Sequence, residues 1–163
     1  LKLPLTNYTL VENEDPQYGD VIVFQYPQDK NINYIKRVIA LPGDSIEYIN
    51  KEVFVNGKKY TQALIENDYI FKNDLHNNIL FNETNSIKQY KIAKNPEPDQ
   101  SFTYIVPNDT YFVLGDNRDN SNDSRYWGPV PKQNLIGRAF MIWMYWNSNS
   151  SYSAFDRIGL PID

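Results

Sequence analysis

The sequence predicts an all-β protein of bent antiparallel sheets, on three observations. Its apolar segments are short, largely alternating and rich in Val, Ile, Tyr and Phe, the residues that pack well on a pleated surface. Turn chemistry recurs between them, as LPGD at 41–44 and as Asn56-Gly57. The only segment that invites a helix is a short turn within VPKQNL, 130–135.

The elements follow in order. YGDVIVFQYP (18–27) is an apolar run closed by Pro27 and reads as a strand buried on at least one side. INYIKRVIA (32–40) is a second strand, rich in β-branched residues, and 41–44 turns out of it. SIEYINKEVFVNGKKY (45–60) alternates through Ile46, Tyr48, Val53 and Val55 into Asn56-Gly57, a strong hairpin signal. From 61 to 100 Asn and Lys become frequent, the pattern blurs, and KNPEPDQ (94–100) is a proline-punctuated linker. A smaller inserted β subdomain over 50–100, containing one hairpin, is therefore expected within a core of 1–49 and 101–163. FTYIV (102–106) and TYFVL (110–114) resume that core. FMIWMYW (140–146) is apolar on both strand faces, which suits either a doubly covered strand or contact with a bilayer.

Composition narrows the function. The 163 residues are 41% hydrophobic with 13 Tyr, 8 Phe and 3 Trp, enough for a core of one domain with an insertion. A net charge of −4 and scattered Lys and Arg leave no electrostatic footprint for nucleic acid. Without cysteine there are no disulfides and no thiolate metal sites. His76, the sole histidine, lies in the polar stretch KNDLHNNIL and reads as a loop residue, so a Ser-His-Asp triad has no obvious base. No apolar run approaches the ~18 residues of a membrane span. LKLPLTNYTL lacks an initiating Met, and the chain is expected to be a part or processed form of something longer.

Two stretches carry candidate chemistry. GDNRDNSNDSRYWGPVP (115–131) is the densest polar run, yet it is flanked by apolar segments. A calcium loop fits poorly: Arg118 stands where a ligand from Asp116 onward should be, and the series from Asp119 lacks both the Gly and the terminal Glu. A plain hydrophilic loop and a loop made rigid by paired charges both remain open. In YIKRVIALPGD (34–44), Lys36 and Arg37 interrupt an apolar strand, so one cation shares the face of Tyr34 and Val38 and the other that of Ile35 and Ile39. A buried lysine loses part of its basicity and can then act as a general base. An edge-strand lysine that blocks aggregation is the plainer alternative.

Together, YGDVIVFQYPQDKNINYIKRVIALPGD and YFVLGDNRDNSNDSRYWGPVPKQNLIGRA resemble the bacterial type I signal peptidases, membrane-anchored serine/lysine proteases that release exported proteins from their signal peptides. The resemblance covers residues 1–60 and 101–146, with Gly19 lying 17 positions before Lys36. It implies that Lys36 is the general base and that Ser121 orients its amine. It implies supporting ion pairs Arg37–Asp116 and Asp123–Arg125, internal to the polar scaffold. It implies a substrate lying extended along Asn33, Tyr34 and Ile35, with Val23 and Ile35 lining a pocket for small residues. Signal peptides and the membrane surface are the implied partners, the outer side of the bacterial cytoplasmic membrane the implied location, and no cofactor or metal is implied. Two departures stand out. Ala40 occupies a position where the family has Gly, tolerable only with a negative φ. The family nucleophile sits in a Ser-x-Met-x-Pro segment ahead of the part matching LKLPLTN, and neither Met141 nor Met144 has such a serine. The chain therefore holds the base without the nucleophile and is expected to be inactive alone. The alternatives are a non-catalytic β module that binds extended peptides, and a self-cleaving Ser/Lys repressor whose DNA-binding segment is not in evidence.

Overall fold

Among the described residues of the computed structural model (8–11, 15–65 and 79–142), nearly every element is a strand. In chain order these are β1 (Tyr8–Val11), β2 (Val21–Tyr26), β3 (Asp29–Ala40), β4 (Ser45–Ile49), β5 (Glu52–Val55), β6 (Lys58–Lys59) and β7 (Thr61–Leu64). They continue as β8 (Ile79–Thr84), β9 (Gln89–Lys94), β10 (Phe102–Ile105), β11 (Thr110–Leu114), β12 (Val130–Pro131) and β13 (Leu135–Ile142). The expected helical turn in 130–135 is a 3-10 turn, Lys132–Asn134. Two further turns lie inside the polar run, a 3-10 turn at Arg118–Asn120 and the single-turn helix α1 (Ser124–Trp127). Among the described residues, no helix is long and apolar enough to cross a membrane.

The strands form three sheets with antiparallel pairings: β1-β13-β2-β3-β11-β12, β10-β4-β5-β6 and β7-β8-β9. The expected boundary at 49/50 falls at the turn between β4 and β5 of the second sheet, and the one at 100/101 falls just ahead of β10, which pairs with β4 in that sheet. The blurred stretch supplies the third sheet, whose β8–β9 hairpin spans Asn85–Lys88.

Two apolar clusters hold this together. Ile22, Phe24, Val38, Tyr111, Val113 and Val130 pack on one face of the large sheet. The other cluster draws Ile39, Phe112 and Leu114 from the large sheet, Ile46, Tyr48, Val53 and Val55 from the second, and Tyr90 and Ile92 from the third. Each fully buried Ile, Leu or Phe stabilises the fold by roughly 1.5–3 kcal/mol. This shared core locks the three sheets against each other. Lys36 and Arg37 therefore lie on a strand with both faces covered, where polar side chains need partners. Ala40 has no positive φ and is fully buried, so its methyl group is accommodated in the strand. His76 and residues 143–146 lie outside the described residues.

Candidate active site

The register of the large sheet brings the two motifs together. β3 pairs with β2 along most of its length, but with β11 only over Arg37–Ala40. Leu114 is opposite Arg37, so Gly115, the first residue after the antiparallel β11, comes alongside Lys36. There the polar run leaves the sheet and wraps over the lysine. Lys36 Nζ donates to Ser121 Oγ at 2.8 Å, joining residues 85 apart in sequence. Ser121 is buried and follows the 3-10 turn Arg118–Asn120 as its cap.

Half-buried Lys36 has its amine pushed below the usual lysine range by burial. Asp123 opposes that shift, Arg125 adds to it, and Asp116 opposes it more weakly. The Tyr34 ring, on the same face, has its centroid 5.7 Å from Nζ. An amine held in this way is easier to deprotonate near neutral pH, which is what a base needs.

The frame around this pair is made of charges. Arg37, on the opposite face with Ile35 and Ile39, binds Asp116 through two parallel hydrogen bonds, Nε–Oδ1 and Nη2–Oδ2, each 2.9 Å. Its Nη1 donates to the Gly19 carbonyl at 2.9 Å, and its guanidinium lies 4.0 Å from the Tyr90 ring centroid. Asp123, fully buried, accepts from Arg125 Nε at 2.8 Å, from Arg125 Nη2 at 2.9 Å and from the Gly115 amide at 2.9 Å, and it caps α1. Asp119 pairs with Lys51 at 2.5 Å. Each of the three aspartates thus faces its own cation, an arrangement unlike a converging calcium shell. Both expected pairs, Arg37–Asp116 and Asp123–Arg125, form; the description of the run's ion pairs as internal needs correcting at two further places, where Asp119 and Arg118 reach Lys51 and Glu83 outside the two motifs.

Of the substrate-binding candidates, Asn33, Tyr34 and Ile35 lie on the same strand as Lys36, and Val23 lies on the neighbouring β2. Residues 29–36 of β3 have no strand partner opposite β2 among the described residues. The Val38 amide donates to Asp20 and its carbonyl accepts from Gly19, both on the β2 side. Hydrogen bonding alternates along an antiparallel strand, so Asn33 and Ile35 direct their backbone groups to the open edge while Tyr34 directs its own to β2. Tyr34 packs against Tyr26, Phe24 and Trp127, and its hydroxyl accepts from Asn122 Nδ2 at 3.4 Å. Val23 and Ile35 are cross-strand partners on the face away from Lys36, Val23 buried and Ile35 half-buried.

Some site residues are absent from the sequence-level expectations. A Cβ on Gly115 would stand 2.0 Å from Ser121 Oγ and 3.3 Å from Lys36 Nζ, so glycine is what allows the pair to meet. The lone glycine between an apolar strand and a polar run was the available signal. Ser124 Oγ accepts from the Val113 amide at 3.0 Å, tying α1 to β11. Glu83 sits in the blurred stretch and carries no sequence signal at all.

Fold and site together describe an antiparallel β frame that presses a lysine amine against a serine hydroxyl beside an open strand edge. The chain belongs to the family "Signal peptidase, peptidase S26", whose model matches residues 2–146. It is 40% identical over 178 residues to the signal peptidase I of Pseudomonas fluorescens, covering 98% of this chain and 61% of that protein. It is 39% identical to that of Pseudomonas aeruginosa at the same coverage, and 33% identical to that of Aquifex aeolicus over 85% of this chain and 67% of that protein. A solved signal peptidase I from Enterococcus faecalis V583 aligns at 27% identity and a TM-score of 0.47, covering 77% of this chain and 97% of that one. The chain thus spans about three fifths of the length of its Pseudomonas relatives.

Proposed function

We propose that this chain is the base-bearing part of a serine endopeptidase of the signal peptidase I type, removing signal peptides from exported pre-proteins with a Ser/Lys dyad. The observation that carries the reading is Lys36: a half-buried amine of lowered basicity, held at 2.8 Å by Ser121 beside a strand edge with no partner among the described residues. The neutral amine takes the proton of a nucleophilic serine as that oxygen bonds to the scissile carbonyl carbon. The resulting ammonium returns a proton to the leaving amine, and the same base then activates water to hydrolyse the acyl-enzyme. The signal peptide lies along Asn33–Ile35 as an added strand. The 163 residues contain no Ser-x-Met-x-Pro, and the proposed nucleophile belongs to a segment of the protein outside them. The working location is the outer face of the bacterial cytoplasmic membrane, against the bilayer. The open edge alone would also suit a non-catalytic peptide-binding module, and the experiment separates the two.

In the full-length protein, Lys36→Ala and Lys36→Arg should both reduce pre-protein cleavage to background, because arginine stays protonated at any useful pH. The unmodified enzyme should gain activity with rising pH along a limb below the ordinary lysine value of about 10.4, since burial favours the neutral amine. The 163-residue chain alone should leave a fluorogenic signal-peptide substrate uncut. Near-normal turnover by Lys36→Arg defeats the general-base role. Cleavage by the 163-residue chain would place the nucleophile within it, at Ser121 or Ser124.

A further inference from the structure

Arg118 is the largest fully buried side chain among the described residues, and it lies three positions before Ser121. Its partner comes from another sheet. Glu83 of β8, itself fully buried, meets the guanidinium with both carboxylate oxygens: Nη1–Oε2 is 3.0 Å, and Nη2 donates to Oε1. Glu83 also accepts from Tyr90 Oη at 3.0 Å and from Gln62 Nε2 at 2.8 Å, so all three strands of the small sheet converge on it. Burial would raise the carboxyl's pKa, but Arg118 outweighs that and holds it below the usual range, keeping the pair ionised.

The chain of contacts continues to the proposed catalytic pair. The Arg118 carbonyl accepts from Arg125 Nη2, Arg125 clamps Asp123, and Asp123 holds the Gly115 amide beneath Lys36. In parallel, the Ala93 amide of β9 donates to the Asp116 carbonyl at 2.9 Å, the Asn95 amide donates to Asp119 Oδ2 at 2.7 Å, and Tyr90 carries Arg37 on its ring. The small sheet thus grips the polar run at Asp116, Arg118 and Asp119, and the next residues place Ser121.

We propose that Glu83 is a positioning residue for the Lys36–Ser121 pair: through Arg118 it fixes the 3-10 turn that ends at Ser121, giving the β7–β9 sheet a role in catalysis. The inference rests on the Ser/Lys reading above but has a readout independent of activity. If the turn loosens, water reaches Lys36 and the desolvation that lowers its basicity weakens.

Two variants test this in the full-length protein and in the 163-residue chain. Glu83→Gln isolates the charge but strands a buried guanidinium and so risks the fold. The double variant Glu83→Leu/Arg118→Met removes both charges at similar volume and leaves the Tyr90 hydroxyl without its acceptor, a smaller cost than a stranded guanidinium. The double variant should fold, lose at least 10-fold in kcat with little change in KM, and shift the acid limb of its pH profile upward. In the 163-residue chain, NMR titration of the Lys36 side chain should show the same upward shift. A folded double variant with parental kcat and an unmoved Lys36 titration overturns the proposal. So does failure of both variants to fold, which would assign the pair to folding alone. If Lys36→Ala retains activity, the Ser/Lys reading fails, while the Lys36 titration still reports on Glu83.

Discussion

At the scale of single residues, the site depends on a close approach that one atom would prevent. The Lys36–Ser121 hydrogen bond passes over Gly115, where a β-carbon would fall 2.5 Å from Ser121 Cβ and 2.0 Å from its Oγ. Gly115→Ala should therefore push Ser121 away and lower turnover at least as far as Ser121→Ala does. The serine substitution should cost 10- to 1000-fold in kcat, because an orienting hydrogen bond in a dry site is worth roughly 1.5–4 kcal/mol. Thermal melts beside steady-state kinetics check both; an inactive Ser121→Ala protein whose melting point has also collapsed would make the hydroxyl structural. The sequence pointed to Lys36, Ser121, Arg37, Asp116, Asp123 and Arg125 because they lie inside recognisable motifs. Arg118 read only as a cation that would repel calcium, since its partner Glu83 sits 35 residues away in a stretch with no clear period. Burial of an ion pair is a tertiary property that local pattern does not carry.

At the scale of elements, the decisive feature is the half-open strand β3, and its two edges should respond differently to proline. Asn33 directs its backbone to the open edge, so Asn33→Pro removes no bond to β2 and is tolerated there as on any edge strand. It should leave the melting temperature nearly unchanged yet raise KM for a signal-peptide substrate on the order of 10-fold, through loss of an augmentation bond. Tyr34→Pro, one residue on, removes a ladder bond to β2 and should destabilise by on the order of 2 kcal/mol. Equal effects of the two substitutions on stability would refute this assignment of edges. Element by element, the strands were largely legible, and 110–114 appears as expected. So does the turn at Asn56-Gly57, whose φ values of 51° and 73° suit those two residues. The turn at Asn50-Lys51 was not legible, because a lysine at φ 63° runs against its own preference. Contacts remote in sequence hold it: Lys51 Nζ is buried against Asn95 Oδ1 at 2.6 Å and Asp119 at 2.5 Å.

At the scale of the whole molecule, three sheets share one core and one set of buried charges, so they should unfold together. Ile39, Tyr48 and Tyr90 touch in a single cluster though each belongs to a different sheet, and Glu83–Arg118 ties the third sheet to the polar run. The pH dependence of stability follows from the groups whose basicity the fold changes. Glu83 has a depressed folded pKa because Arg118 outweighs burial, and Asp20 because Lys88 and the Gln17 amide do. Their contribution is complete above the unfolded carboxylate values near 4 and is lost as pH falls through the lower folded values. Tyr18 and Tyr48 move the other way, each raised to about 12 by burial, so their contribution holds below about 10 and is lost above it. Stability set by these groups should thus be flat from about pH 6 to 8 and fall steeply below about pH 4. Urea melts at pH 7 and pH 3, followed by far-ultraviolet circular dichroism and tryptophan fluorescence, should give one coincident transition at each pH with the acid midpoint much lower. The Glu83→Leu/Arg118→Met variant should lose part of that acid sensitivity, since its carboxylate is gone. An early transition confined to β-sheet signal, with fluorescence unchanged, would mean that the β7–β9 sheet melts independently and cannot brace the site.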